Sequence, residues 1–200
     1  MTYETATFLA QFVRHPFTVG AVWPSGPALA RDITAPVPRT GHPVVVELGP
    51  GTGAFTRTVQ QRLAGRGHHL AVELNRVFAA HLARRHPGVD VVDADAGSIG
   101  ALLDVRGHRY ADVVISGLPW AAFGPARQRA ILSAVTGALD PSGVFTTFAY
   151  RHALVLPAAR RFRRLLATNF EEVTVGRTVW SNVPPALVYH CRRPVRPAAA

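Results

Sequence analysis

Residues 44–59, VVVELGPGTGAFTRTV, constrain the fold more than any other stretch of the chain. Val44, Val45 and Val46 are β-branched and suit a strand covered on both faces, as in a parallel sheet. Gly49, Gly51 and Gly53 then permit a sharp turn and a close backbone approach to a ligand, where a Cβ would collide. The following TRTVQQRLAG reads as a helix with Gly65 as its C-cap. Two ligand classes fit this strand–turn–helix unit. Gly49, Gly51 and Ala54 satisfy the G-x-G-x-x-G/A form of a dinucleotide loop, with pyrophosphate at the helix N-terminus. Glu47, two residues before the first glycine, argues the other way: a carboxylate repels pyrophosphate and attracts an ammonium.

Further carboxylates follow at successive strand ends. The segment HHLAVELN reads as a second strand ending in Glu73, about twenty residues after the glycine turn, where an acid hydrogen-bonds ribose hydroxyls. This device serves any adenosine cofactor, nicotinamide dinucleotides included. A third strand, VDVVDADAG, ends in Asp93 and Asp95, and Asp93 reads as a solvated or helix-capping acid. A fourth, ADVVISGLPW, ends in Ser116, Gly117, Leu118, Pro119 and Trp120.

The order E-x-G-x-G-x-G resembles motif I of class I S-adenosylmethionine (SAM) methyltransferases, which implies Glu47 near the methionine ammonium. By the same resemblance Asp95, in A-D-A for the family's G-D-A, accepts the adenine amino group, with the Ala96 backbone near the ring. The segment after the fourth strand lies beside the methyl group in this fold. Ribosomal RNA adenine dimethylases resemble N-L-P-[YF] there, but Gly117 replaces the Asn and offers no acceptor for an adenine amino group. Methylation of adenine in ribosomal RNA is therefore expected to be absent. Trp120 is open to two readings, a stacking platform or a core aromatic.

Three further segments are more specific. The stretch FLAQFVRHPFTVGAVWPSGPALARDI, then SGLPW, then GRTVWSNVPPALVYHCRR resemble, together with ELGPGTGAFT, the bacterial phospholipid N-methyltransferases of the soluble type. The resemblance runs from about Phe8 to Arg193 and implies successive methyl transfer from SAM to the amine of phosphatidylethanolamine, releasing S-adenosylhomocysteine. It implies cofactor contacts from Glu47, Gly49, Gly51, Thr52, Gly53, Glu73, Leu74, Asp95, Ala96, Ser116, Gly117 and Leu118. Ser25, Trp120, Tyr150 and Trp180 are candidates near the methyl group, and Arg177 for a phosphate or carboxylate. Tyr150, on the rim after the fifth strand, either orients an amine or packs its body in the core. An N-terminal helix over residues 8–17, with Phe8, Leu9, Phe12 and Val13 in one stripe, is implied to lie on the bilayer. A soluble amine as acceptor, or a SAM- or RNA-binding module without lipid activity, stays open beside the lipid reading.

The expected fold is α/β: a Rossmann-like class I methyltransferase domain with a seven-stranded, mostly parallel sheet and helices on both faces. One domain is expected over residues 1–200, with a helical cap at 1–40, a core at 41–193 and a tail at 194–200. Helices are expected at 8–14, 28–33, 75–85 and 127–139, the last closed by the turn Asp140-Pro141-Ser142-Gly143. GVFTTFAY is the fifth strand, residues 154–168 a basic helix, and 172–175 and 186–191 the last strands. No run of about eighteen apolar residues suggests a membrane span, and no secretory signal is read at the N-terminus. The single cysteine, Cys191, reads as structural, and the scattered histidines imply no metal. The expected location is the cytoplasm, with peripheral contact to an anionic membrane face as a further expectation.

The basic charge is entirely arginine, and residues 151–200 hold nine of the arginines against Glu171 and Glu172 alone. Arg160, Arg161, Arg163 and Arg164 read as a solvated helix face, as an attraction to anionic lipid, or as a nucleic-acid contact. The last lacks the interleaved aromatics that single-stranded binding uses.

Overall fold

The computed structural model describes residues 25–195. The expected helix at residues 8–17 and the end of the tail lie outside the described residues.

A seven-stranded sheet runs in the order β3-β2-β1-β4-β5-β7-β6. Its strands are β1 (Val44–Leu48), β2 (His68–Glu73), β3 (Asp90–Asp93), β4 (Ala111–Ser116), β5 (Leu139–Tyr150), β6 (Phe170–Val175) and β7 (Ala186–Pro194). β7 is antiparallel to both β5 and β6 and the other pairings are parallel. The C-terminal ends of β1 to β6 therefore share one rim, and the 176–185 loop that leads into β7 lies on it too. β1 is buried at every residue, which agrees with its β-branched composition.

The helices are α1 (Pro27–Ile33), α2 (Thr56–Leu63), α3 (Arg76–Arg85), α4 (Ile99–Asp104), α5 (Pro125–Ala138) and α6 (Pro157–Asn169). Alternation along β1 sends Val45 into a core with α1 and α2, and Val46 and Leu48 into the opposite core with α4, α5 and α6. Thr146 Oγ1 donates to the Ile33 carbonyl at 2.8 Å and ties α1 to the sheet. Asn75 caps α3 by accepting the Val77 and Phe78 N–H groups.

Three local readings change. The left-handed cap of α2 is Ala64, at φ 49°, with Gly65 continuing the turn at φ 80°. α4 forms between the third and fourth strands, where the sequence pattern predicts no helix. The turn at 140–143 lies within β5 as a register shift: Leu139 pairs with Ala111, but Val144 with Val113. Asp140 Oδ1 accepts the Ser142 N–H and hydroxyl at 2.8 and 2.6 Å, holding the extra residues out of the ladder.

Candidate cofactor and acceptor site

The glycine turn and the end of β4 meet on the rim. Gly49 has φ +66°, a conformation that L side chains rarely adopt, and its N–H donates to the Val72 carbonyl. Gly117 is held by its N–H to the Leu48 carbonyl, and a Cβ there would stand 2.6 Å from the Gly49 carbonyl oxygen. An Asn at 117 would thus force the two turns apart, which gives the departure from N-L-P-[YF] a steric cause. Gly51 and Gly53 share the positive φ, and Thr52 between them is exposed.

Glu73 holds this turn in place. Its Oε2 accepts the Gly51 N–H at 3.0 Å and its Oε1 the Asn75 N–H at 2.9 Å. Burial raises its pKa above the ordinary glutamate value, although the N–H donors pull it back. A carboxylate has about four lone-pair sites, so acceptor capacity is left over. Leu74, next in the chain, is half-buried.

Glu47 is fully buried on the α2 side of the sheet. Its Oε2 accepts the Thr56 hydroxyl at 2.7 Å and lies 3.2 Å from His69 Nε2, a contact too poorly aligned to be a hydrogen bond. Gln60 donates to His69 Nδ1 at 2.9 Å, which assigns the ring proton to Nε2, facing the carboxylate. Glu47 Oε1 has no partner among the described residues. An orphaned carboxylate oxygen in a dry site is costly unless a donor meets it. Thr56, His69 and Gln60 were not singled out in the sequence; only the alternation of β2 against β1, which sets His69 beside Val45, could have pointed to them.

Asp95 ends the third strand segment with both oxygens engaged. Oδ1 accepts the Gly97 N–H at 2.7 Å, capping the turn at Ala96–Ser98, and Oδ2 pairs with Arg127. Burial, the largest single influence, would raise its pKa, but the Arg127 hydrogen bond, the Gly97 N–H and the Arg127 charge together outweigh it and leave the pKa lowered. Ala96 is buried beneath the turn. Arg127 lies in the first turn of α5, where a cation opposes the helix dipole, and that mismatch was the sequence signal of a carboxylate partner. Asp93 pairs at the surface with Arg76 at 2.6 Å, as its solvated reading required.

Trp120 takes the core alternative. It is buried, stacks on Phe162 of α6 at 4.2 Å, and donates Nε1–H to the Ser116 hydroxyl at 3.0 Å. Ser116 is itself fully buried, and its Oγ also accepts the Leu118 N–H at 3.3 Å. Buried Gln128 then joins the turn to α6: it donates to the Trp120 and Ala158 carbonyls and accepts from Arg161. Arg161 is thereby removed from the solvated arginine face.

Tyr150 ends β5 on the rim, edge-on to Phe148 and stacked on His152, and burial raises its pKa. Beside it, Arg151 lies over the ring of exposed Trp180 at 5.2 Å and donates to Thr178 at 3.4 Å. Asn182 accepts the Gly26 N–H at 2.8 Å and donates to the Pro184 carbonyl at 2.7 Å. The P-S-G and N-x-P-P-A segments, 156 residues apart, are thus joined on the rim, with Ser25 at the junction. Arg177, in the same loop, is exposed.

No family model matches the chain. It is 34% identical over 188 residues to the ornithine lipid N-methyltransferase of Singulisphaera acidiphila, covering 92% of this chain and 94% of that protein. Similarity to the ribosomal RNA small subunit methyltransferase A of a Polaromonas species, 36% over 93 residues, covers 46% of this chain and 27% of that protein. Among solved structures, a SAM-dependent O-methyltransferase from Thermotoga maritima superposes with TM-score 0.62 at 13% identity over 95% of this chain and 72% of that one. The precorrin-6Y C5,15-methyltransferase of Geobacter metallireducens gives TM-score 0.61 at 15% identity, over 83% of this chain and 88% of that one. These two likenesses bear on the fold alone.

Proposed function

We propose, because the chain belongs to the family that contains the Singulisphaera ornithine lipid N-methyltransferase, within the class I SAM-dependent methyltransferases, that its acceptor is the amine of an aminolipid headgroup. The observation that carries this is the extent of the likeness, which spans nearly the whole of both proteins. The ribosomal RNA relatives share only a part of the chain, and Gly117, pressed on the Gly49 carbonyl, argues against an adenine acceptor.

The residues present fit the cofactor. The unpartnered Glu47 Oε1 suits the methionine ammonium, and the space beside Gly51, where a Cβ would meet nothing within 4 Å, suits a ligand backed by the turn. Glu73 would take the ribose hydroxyls with its spare lone pairs, and Thr52 and Leu74 would flank them. Asp95 and the Ala96 backbone would take the adenine, with Arg127 ceding or sharing an oxygen. Ser116, Gly117 and Leu118 would border the methyl group. When bound, SAM supplies an activated methyl on a sulfonium.

What remains for the protein is to align a neutral amine and exclude water. Half-buried Tyr150, its pKa raised by desolvation, stays a phenol at neutral pH, so it would orient the amine by hydrogen bonding rather than act as a base. Ser25 and Trp180 would border the acceptor, and Arg177 would hold a phosphate or carboxylate of the headgroup. Ornithine lipid and phosphatidylethanolamine both present a primary amine and both fall within the proposal. No described helix is long and apolar enough to cross a membrane. We place the protein in the cytoplasm with peripheral contact to the membrane.

The test is incubation of the purified protein with methyl-labelled SAM and, separately, ornithine lipid, phosphatidylethanolamine, soluble amines and ribosomal RNA. Label in the lipid fraction is expected. Label confined to soluble amines or to RNA would overturn the assignment.

A further inference from the structure

A second concave surface lies beside the rim, between α6 and the last two strands. α6 carries Arg160, Arg163 and Arg164 at spacings of i, i+3 and i+4, so the three lie on one face of the helix. Rather than project evenly into solvent, all three line an open groove of about 610 Å³ between α6 and the last two strands. That volume is within the ~300–1,000 Å³ range of small-molecule sites. The opposite wall is apolar, formed by Val175, Leu187 and Tyr189. Among the described residues no carboxylate lies within ion-pair distance of these arginines; the neighbouring acids Glu171 and Glu172 pair with Arg193.

One end of the groove opens on the catalytic rim. Val175 is the last residue of β6 and Leu187 the second of β7, and Leu154, from the segment after Tyr150, lines the same end. The neighbouring rim side chains are strongly exposed for apolar residues: Val155 is 66%, Trp180 67% and Val183 66% accessible. A cleft with an arginine stripe on one wall, an apolar opposite wall and an apolar mouth complements an amphiphile that is anionic at its head. Neither a free phosphate nor a nucleic-acid backbone would use the apolar wall.

We propose that this groove binds one molecule of an anionic lipid, its acyl chain on Val175, Leu187 and Tyr189 and its phosphate or carboxylate on Arg160, Arg163 and Arg164. The choice of a lipid as occupant rests on the aminolipid reading above; the charge and shape of the groove do not. Bound there, the lipid anchors the rim to an anionic bilayer and leaves the acceptor site free for the aminolipid.

The full-length protein is titrated with monomeric dioctanoyl-phosphatidylglycerol, below its micelle concentration, by calorimetry. Saturable binding of one molecule per chain is expected. Glycerol phosphate, which lacks the chain, and dioctanoyl-phosphatidylcholine, which lacks net charge, should each bind at least tenfold more weakly. Dihexanoyl-phosphatidylglycerol should also be weaker, since each buried methylene contributes up to roughly fourfold. Arg163→Gln combined with Arg164→Gln should weaken the lipid by about tenfold or more, at roughly fivefold per arginine. Ala167→Trp fills the groove from an exposed helical position and should weaken binding without changing its salt dependence. Far-UV circular dichroism and SAM affinity, both expected to be unchanged, show that these variants fold. Equal affinity for glycerol phosphate and the lipid, unaltered affinity in the variants, or tighter binding of a polynucleotide than of the lipid would overturn the proposal. Methylation of aminolipid in neutral detergent micelles reads the acceptor assignment separately. Its failure with groove binding intact removes the acceptor reading alone.

Discussion

The two halves of the rim are built on different principles. Over β1, β2 and β3, nearly every polar group is committed. Glu73 is tied to two backbone N–H groups, Glu47 is enclosed with Thr56 and His69, and Asp95 is shared between Gly97 and Arg127. Over β5, β6 and β7, Tyr150, Arg151, Trp180 and Val183 form a looser, partly apolar surface. The first half suits a rigid ligand of fixed shape. The second suits an acceptor whose only constant parts are an amine and a lipid surface. Substitutions should therefore act on cofactor affinity and stability in the first half, and on turnover in the second.

The largest effect is expected at Glu73. Glu73→Ala removes an acid that both positions the glycine turn and, in our reading, takes the ribose, and should cost ~2–3 kcal/mol of SAM affinity. Calorimetry reads this directly, and an unchanged affinity would remove Glu73 from the cofactor site. Gly117→Asn comes next. Its Cβ would collide with the Gly49 carbonyl, so ~1–3 kcal/mol of stability should be lost by denaturant unfolding, on the scale of overpacking. No methylation of ribosomal RNA adenine should be gained. A variant as stable as the wild type, or one that labels adenine, would break the steric account.

The contrast also explains what could be read in the chain itself. The β1 strand and the glycine turn announce themselves because β-branching and positive φ are local properties, whereas the Asn75 cap and the antiparallel placement of β7 emerge only in the structure. The partners of the acids do not, because they come from elsewhere in the chain. Arg127 reaches Asp95 across 32 residues, and Arg161 reaches Gln128 across 33. Trp120 could be read either way because an indole serves equally as platform or core; what decides it is Phe162, which arrives with α6. The arginine cluster was visible as composition, but its division into an inward Arg161 and a groove-lining stripe depends on how α6 packs.

A smaller effect separates the rim from the opposite end of the sheet. Burial raises the pKa of Glu73, so its folded form holds a proton more firmly than the unfolded chain. Its contribution to stability is full below the ordinary glutamate pKa of ~4.3 and is lost as pH rises through the raised value. Asp90, at the start of β3, is the reverse. The Arg106 hydrogen bond lowers its pKa, so its contribution is present above ~4 and lost as pH falls through the lowered value. Melting temperatures from pH 3 to 7 should show Glu73→Gln gaining on the wild type as pH rises. Asp90→Asn should instead lose the advantage that the wild type holds above pH ~4, about 1 kcal/mol or less for a pair that is partly exposed to solvent. Parallel pH profiles for the two variants would contradict both assignments.

The smallest effect is expected at Tyr150, and it tests the acceptor half most closely. Tyr150→Phe removes only a hydroxyl. The ring still meets Phe148 edge-on and stacks on His152, so stability should hold. SAM affinity should also be unchanged, since every cofactor group proposed above lies on other elements. If the hydroxyl orients the amine, its loss should lower kcat by about two- to fivefold, the scale of one hydrogen bond worth ~0.5–1 kcal/mol. A general base would behave differently. Burial lifts the phenol above its ordinary pKa of ~10, so at neutral pH almost none is ionised, and a phenolate mechanism would show as activity that climbs steeply into the alkaline range. The rise of kcat with pH in the wild type should instead follow loss of a proton from the acceptor amine, and should survive intact in Tyr150→Phe. Loss of that alkaline limb in the variant would make Tyr150 the base, and would mean that the acceptor half contains a committed catalytic group after all.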